Sequence, residues 1–563
     1  MTLTVSRRSL ASLAAAGAAA PILASCTGDH RPVSSSPAYV AGSAELEVEL
    51  APEVDGVQYP ESYDGPRARQ RTRLTEEDAE FRIVVPAAPD VDMATNAHSR
   101  WLEETTGVRI VFETLPPGDD ARPALTGMIA SGNMPDAFML GASMFSPSEI
   151  ALYGEQGVFQ GLGEHIDRWA PNLLETFSRM SNARALATAP DGDIYAFPSI
   201  GQCYHCSGGP TRLWIRGGLL SSIGLEEPRT IEEFESMLET IHGTGAQTGV
   251  TTTLTGERDT PPLAYFYSCF DNPGNDWLRR ESGAVIHAGS DDAMRTTLAL
   301  LRGWVEKGWL DPAAFTQDAD QRDRLIGDTA HSPVAITSGW LPGEDPWTDF
   351  VAMAPVSAGD VDPVLPWDYW RAVDQNLMIT SSCADPQLLV RWADAQMDLI
   401  GTTSARMGPP ELGFSWSAEG ELGIDGRQAI YTRTPQENGA NLGWQDWGPY
   451  NQGLDLRNAE RVDPAHRGLE ATLYDATKLF EPYRMPEEAT VYPGIFDTSQ
   501  AAEVAEFETN IEAIRVRHIA QFIAGAADVS ADSDWQTYQD ELEAAGLSRY
   551  LELRELGMQT RGL

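Results

Sequence analysis

Fifteen tryptophans in 563 residues are many, and several stand among turn residues rather than on the apolar face of a helix. Trp340 follows Ser338-Gly339 at the end of a strand-like run, Val334 to Thr337. Trp367, Tyr369 and Trp370 cluster in Pro366-Trp367-Asp368-Tyr369-Trp370-Arg371, and Trp444 and Trp447 in Gly443-Trp444-Gln445-Asp446-Trp447-Gly448. An indole or phenol ring presents a flat apolar face that suits the C–H face of a pyranose, while polar neighbours such as Asp368, Arg371, Gln445 and Asp446 can bind hydroxyls. These residues could therefore recognise a carbohydrate. By contrast, Trp101, Trp214, Trp304, Trp392 and Trp535 fall on regular elements and read as core.

Other chemistries leave weaker marks. Eighty-three carboxylates could conceal a glycosidase pair, but none stands in a recognisable motif. A lipid-anchored glycan hydrolase is the competing reading. The chain has no phosphate-binding P-loop, no G-x-S-x-G elbow and no H-E-x-x-H. Cys203-Tyr204-His205-Cys206 is a C-x-x-C, yet a zinc site would want a second close pair. No metal or other cofactor is therefore expected. A disulfide involving Cys203 or Cys206 is expected, with Cys269 and Cys383 as the other thiols and the pairing open. A net charge of −43 argues against nucleic acid as a partner.

The elements that must position these residues begin at Phe81. Ile83-Val84-Val85 reads as a strand ending at Pro86. A helix carrying Ala97, Trp101 and Leu102 follows and stops at Gly107, and Val108 to Phe112 is a second strand. A further helix, with Leu125, Met128 and Ile129, stops at Gly132, and Ala137 to Leu140 is a third strand. Strand, helix, strand, helix, strand at this spacing predicts a parallel sheet covered by helices. Ligands of such sheets sit beyond the carboxyl ends of the strands, which makes Asp90 and Ser143 candidate contacts. Capping boxes are expected at Ser146 to Glu149 and at Thr230 to Glu233. Helices are expected from Ser290 and from Asp385-Pro386, with two more at the end of the chain. One of that pair runs from about Ser499, and the other carries Trp535, Tyr538 and Leu542 and closes at Gly546.

Residues 1–25 read as a signal peptide with a twin-arginine pattern, Ser6-Arg7-Arg8-Ser9-Leu10, and a short apolar stretch. Leu23-Ala24-Ser25-Cys26 has the form of a lipobox, so Cys26 is the expected lipidation site. Residues 27–80 are rich in Ser, Pro, Gly and acids and read as a disordered tether. The basic run Arg67 to Arg73 is expected to be solvated.

Several short segments carry a resemblance to a known family. They are Trp101-Leu102-Glu103-Glu104-Thr105-Thr106-Gly107-Val108, Ala130-Ser131-Gly132-Asn133-Met134-Pro135-Asp136, Tyr153-Gly154-Glu155-Gln156-Gly157, Asp191 to Pro198 and Trp214-Ile215-Arg216. In this order they resemble the family 1 extracellular solute-binding proteins, the ligand receptors of sugar-type ABC importers. The resemblance implies an α/β chain with the two-lobed, type II periplasmic-binding-protein fold, each lobe a mainly parallel sheet flanked by helices. It implies lobe 1 from residues 81–205 and 370–495, lobe 2 from 206–369 and 496–563, and hinge segments between them. It implies no catalysis, a carbohydrate ligand, the permease subunits of an ABC transporter as partners, and a monomer held by its lipid on the outer face of the cell membrane. An aromatic after the Trp340-type strand lines the cleft in that family, and Tyr204, in the first crossing, joins the candidates.

Overall fold

The computed structural model describes residues 42, 44–88, 91–140, 144–180, 182–208, 212–258, 261–342, 348–369, 373–435, 441–445, 447–464 and 467–561. Strands β1 (Ala79–Val85) and β2 (Val108–Thr114) pair in parallel, Ala79 opposite Val108 through Val85 opposite Thr114. The helix between them, Ala97–Thr106, is capped by the Asn96 side chain and ends at Gly107 in a left-handed conformation. After the helix Ala121–Ser131, β3 (Ala137–Met139) joins the other edge of β1 in parallel. The alternation expected from residue 81 onward is present. At the next helix Ser146 and Glu149 form both bonds of the expected capping box.

After β4 (Phe197–Gly201) the chain leaves for a second body. That body contains β5 (Leu213–Arg216), β6 (Thr252–Thr255), the hairpin β7 (Leu278–Glu281) and β8 (Ala284–His287), β9 (Val334–Ser338) and β10 (Phe350–Ala352). It then returns through β11 (Val373–Ile379), the hairpin β12 (Phe414–Trp416) and β13 (Tyr431–Arg433), and β14 (Asn451–Gln452). The first sheet has the order β14-β4-β11-β3-β1-β2 and the second β10-β5-β9-β6. This is the expected two-lobed α/β architecture. Strand direction differs in one respect. The second sheet is mixed, with β6 parallel to β9 but β5 antiparallel to both β9 and β10. In the first sheet β11 likewise runs against β3 and β4. Both β5 and β11 are the first strand after a crossing. A strand entering from the other lobe starts where the strand–helix units finish, so it must run opposite to them.

Each lobe has its own core. Ile83, Val85, Ala137, Leu377 and Ile379 pack with Leu389 and Trp392 on one face of the first sheet. Val84, Phe138 and Met378 pack with Leu125 on the other. In the second lobe Leu213, Leu254 and Ile336 meet Phe234, Leu298 and Trp304, together with Ile511, Phe522, Tyr538 and Leu553 from the end of the chain. Each such side chain contributes about 1.5–3 kcal/mol by leaving water. The terminal segment holds three helices, Thr498–Ala524, Asp532–Ala544 and Leu547–Arg561, where the sequence implied two. Gly546, at φ 94°, ends the second, and the chain resumes helix at Leu547.

Two boundaries move. Leu473 and Ala476 of the helix Gly468–Phe480 pack with Trp214 and Phe350, and Phe480 and Val491 join the second core. The helix Gly468–Phe480 and Val491 therefore pack with the second lobe, although the resemblance assigned them to lobe 1. The N-terminal tether also ends earlier than residue 80. Tyr63 and Ala68 pack with Leu399, Phe414 and Tyr431, and the backbones of Glu53 and Arg69 form an antiparallel β-bridge. The run Arg67 to Arg73 is no solvated patch. The Arg69 guanidinium pairs with Glu175 at 3.1 Å, Arg71 pairs with Asp398 and lies 5.0 Å from the Trp101 ring centre, and Arg67 lies 4.3 Å from the Tyr59 ring centre. Composition hid this because segment 44–80 has no core of its own and folds by docking onto residues hundreds of positions away.

Candidate ligand-binding cleft

Trp340 owes its position to the residue before it. Gly339 has φ 125°, and a Cβ there would run into the Arg322 guanidinium. Arg322 is buried. It donates to the carbonyls of Ser338 and Leu341, both at 3.2 Å, and pairs with Glu257 at 3.2 Å. The turn after β9 is thus clamped from inside, and Trp340 projects from it, 39% exposed. The Arg212 guanidinium lies over the ring, 5.5 Å from its centre. Arg212 donates to the carbonyl of His205 and to Thr477 Oγ1. Burial lowers its pKa to about 10, so it stays cationic at neutral pH.

The crossings between lobes are laced together beside this ring. In the first, Cys203 and Cys206 form a disulfide. His205 Nε2 lies 3.5 Å from Glu470, which Arg457 holds at 2.8 Å. Burial pushes His205 down to about 4, keeping it neutral. Burial pushes Glu470 up, but the bond from Arg457 outweighs it and holds the carboxyl near 2. In the second crossing the Asp368 N–H donates to the Ser207 carbonyl at 2.8 Å and the Tyr369 hydroxyl to the Met485 carbonyl at 2.7 Å. Cys203, His205 and Cys206 come within 4.8 Å of one another. With both sulfurs in the disulfide, the trio offers no thiolate to a metal.

Where these segments meet, a cleft of about 1210 Å³ opens. Gly201 and Gln452 from the strands of the first lobe line it, with Tyr450 just before β14. The crossings supply Cys203, Cys206, Trp367, Asp368 and Tyr369, and the second lobe supplies Trp277, Trp340 and one face of the helix Thr498–Ala524. Arg258, Arg406, Arg457 and Arg515 face it with Asp276, Asp368, Glu508 and Glu512. Among the described residues its formal charge therefore balances, in a chain whose net charge is −43.

Trp340, Trp367, Asp368 and Tyr369 thus come together in this cleft. Tyr204 lies behind it, 5.9 Å from Trp367 and 4.8 Å from Tyr474, with its hydroxyl on Glu481 at 2.6 Å. Trp444 is a correction. Its ring is fully buried in the first lobe among His98, Phe112 and Trp392, and its indole N–H donates to Ser99 Oγ at 2.9 Å. Trp447 packs partly buried against the same core and does not line the cleft. Trp370, Asp90, Ser143 and Cys26 lie outside the described residues. Sequence reasoning missed Trp277 and Tyr450. Trp277 follows Pro273-Gly274-Asn275-Asp276, the same turn context that singled out Trp340, so the criterion used for the other rings would have found it.

No protein-family model matches the chain. A curated relative, the fructooligosaccharide ABC transporter substrate-binding protein FusA of Streptococcus pneumoniae serotype 4, is 24% identical over 481 residues, 81% of this chain and 85% of that protein. The structure of S. pneumoniae FusA in complex with kestose superposes with a TM-score of 0.67 at 20% identity, covering 84% of this chain and 98% of the other. An HMO-binding solute-binding protein from Bifidobacterium longum infantis does so with a TM-score of 0.67 at 17% identity, over 86% and 99%. With two lobes, laced crossings and a cleft between them, the chain shares the two-lobed fold of these solute-binding proteins.

Proposed function

We propose that the chain captures an oligosaccharide between its lobes and delivers it to the permease subunits of an ABC transporter, working as a monomer tethered to the outer face of the membrane through a lipid on Cys26. The observation that carries this reading is the cleft itself. Its volume of about 1210 Å³ exceeds the roughly 300–1,000 Å³ usual for small-ligand pockets. Trp340 is exposed in it and Tyr369 half-buried, and the largely buried rings of Trp367 and Tyr450 border it, among polar side chains, Asp368 and Gln452 included. Flat apolar faces beside hydroxyl-binding groups are what a chain of sugar rings needs. The ligands of the relatives, a fructooligosaccharide, kestose and HMO, agree with that class.

The charge balance of the described lining favours an uncharged ligand. Two of its carboxylates are already committed, Glu508 to Arg554 at 3.0 Å and Glu512 to Arg515 at 2.5 Å. Among the described residues no helix is long and apolar enough to cross a membrane. Anchoring then rests on the lipobox pattern at Cys26, where two acyl chains give a stable hold. Ligand in the cleft would favour the closed arrangement of the lobes and so report occupancy to the permease.

The test is calorimetric titration of the protein with neutral gluco-, fructo- and manno-oligosaccharides, followed by chromatography of the recovered sugar. Saturable binding with the sugar returned intact is expected. Absence of binding to every member, or steady cleavage that one carboxylate substitution abolishes, would overturn the reading.

A further inference from the structure

Residues 273–278 form a turn at the wall of the cleft that is strained and heavily braced. Asp276 and Trp277 are both left-handed, at φ 53° and 63°. A bulky side chain holds that conformation only where its surroundings over-determine it, and such residues concentrate at ligand sites. The bracing is visible. The Leu278 N–H donates to the Asn275 carbonyl at 2.9 Å, and the Ala288 N–H to the Trp277 carbonyl at 2.8 Å. Asn275 Nδ2 reaches the Trp367 carbonyl at 3.1 Å, which ties the turn to the second crossing. Gly274, at φ 64°, lies so close to the Leu278 carbonyl that no Cβ fits.

The Trp277 ring is fixed just as firmly. Tyr267 meets it edge to face at 5.6 Å. The Arg515 guanidinium lies 5.0 Å from its centre. Arg515 is only 12% exposed and is held by Glu512 from one turn earlier in the helix Thr498–Ala524. A cation seated on one face of an indole fixes the ring's angle and leaves the other face for a ligand. The two left-handed residues close a two-residue turn between Asn275 and Leu278, which bridge each other, and this turn carries the Trp277 ring, packed in part on the second core, to the wall of the cleft beside Arg515.

We propose that Trp277 is the platform on which the second lobe stacks a sugar ring, and that Arg515 is the positioning residue that sets its angle. The proposal rests on the oligosaccharide reading above and adds two residues that the sequence did not single out. The ligand group recognised is the C–H face of an uncharged sugar ring.

The test takes the tightest-binding member of the neutral oligosaccharide panel and measures its affinity for Trp277→Gly, Trp277→Phe, Arg515→Met, Arg515→Lys and the double variant Trp277→Gly/Arg515→Met. The melting temperature of each unliganded protein is measured alongside. Glycine accepts the left-handed backbone. Trp277→Gly should therefore lose affinity by about tenfold or more, with no comparable fall in melting temperature. Trp277→Phe should keep part of the affinity, and it decides the matter if the glycine variant fails to fold. Arg515→Met should weaken binding several-fold and Arg515→Lys should restore part of that loss. In the Trp277→Gly background Arg515→Met should change affinity no further, because the residue acts only through the ring. Undiminished affinity in both Trp277 variants overturns the platform. An equal effect of Arg515→Met in both backgrounds overturns the positioning role. Failure of the wild-type protein to bind any member overturns the oligosaccharide reading, and this inference falls with it.

Discussion

Trp340 and Trp444 each stand beside a glycine in a short polar turn, and the fold uses them in opposite ways. The turn after β9 is clamped from within by Arg322, so its tryptophan projects into the cleft. The turn at Gly443 to Gly448 is pulled down onto the first lobe. There the Trp444 backbone N–H donates to the Ala405 carbonyl and the indole fills a space among His98, Phe112 and Trp392. Turn chemistry says where a chain bends. What lies behind the turn decides which way the ring points.

The largest expected effect separates the two rings by stability. Trp444→Ala empties a fully buried site and should cost about 3–5 kcal/mol in urea unfolding. The folded fraction should bind ligand as the parent does. A stability close to that of the parent would break the comparison, because Trp444 would then belong with the cleft after all.

Asp398 carries the same contrast to the N-terminal segment. Its carboxylate pairs with Arg71, accepts from the Arg69 N–H at 3.0 Å and caps the helix Leu399–Met407 through the Gly401 N–H at 2.7 Å. Asp398→Ala leaves Arg71 facing a buried gap and should cost about 3 kcal/mol. Limited proteolysis should then cut within residues 44–80. Continued resistance of that segment would show that its docking does not depend on this carboxylate.

Part of this was legible in advance, for local reasons. Gly107 and Gly132 end their helices because the chain must turn left-handed there, and Ser146 and Asp385 cap theirs through their own side chains. Such signals sit within four residues and can be read directly. Docking of residues 44–80 cannot, since Arg71 and Asp398 are 327 positions apart. The burial of Trp444 depends likewise on Phe112 and Trp392, which no local pattern joins to it. At Thr230 the capping box is half formed. Thr230 accepts from the Glu233 N–H, but the Glu233 carboxylate accepts from Arg229, one residue earlier than expected. Trp277 was readable from its turn residues, but its left-handed backbone and the Arg515 beneath it were not.

A pH series sharpens the contrast around Trp444. His98 is buried against that ring, and burial lowers its pKa from 6.5 to about 3. Between those values the unfolded chain binds a proton that the folded chain refuses. Stability from this residue is therefore complete above pH 6.5 and declines as pH falls toward 3, by up to about 1.4 kcal/mol per pH unit. His98→Gln should flatten unfolding free energy against pH across that window. An unchanged slope would mean that His98 takes up its proton in the folded state.

The smallest effect is expected at the crossing. Tyr369→Phe removes one hydrogen bond, to the Met485 carbonyl, and should cost about 1 kcal/mol of stability. Affinity should barely move, because the ring face remains. A tenfold loss of affinity would mean that the hydroxyl itself holds the ligand.

The central claim is that the cleft beside Trp340 captures the solute, and titration of Trp340→Ala tests it most directly. With the oligosaccharide that binds the parent best, affinity should fall by about tenfold or more while the melting temperature of the unliganded protein stays within about 2 °C of the parent. Unchanged affinity together with a large fall in melting temperature would return Trp340 to the core and contradict the account.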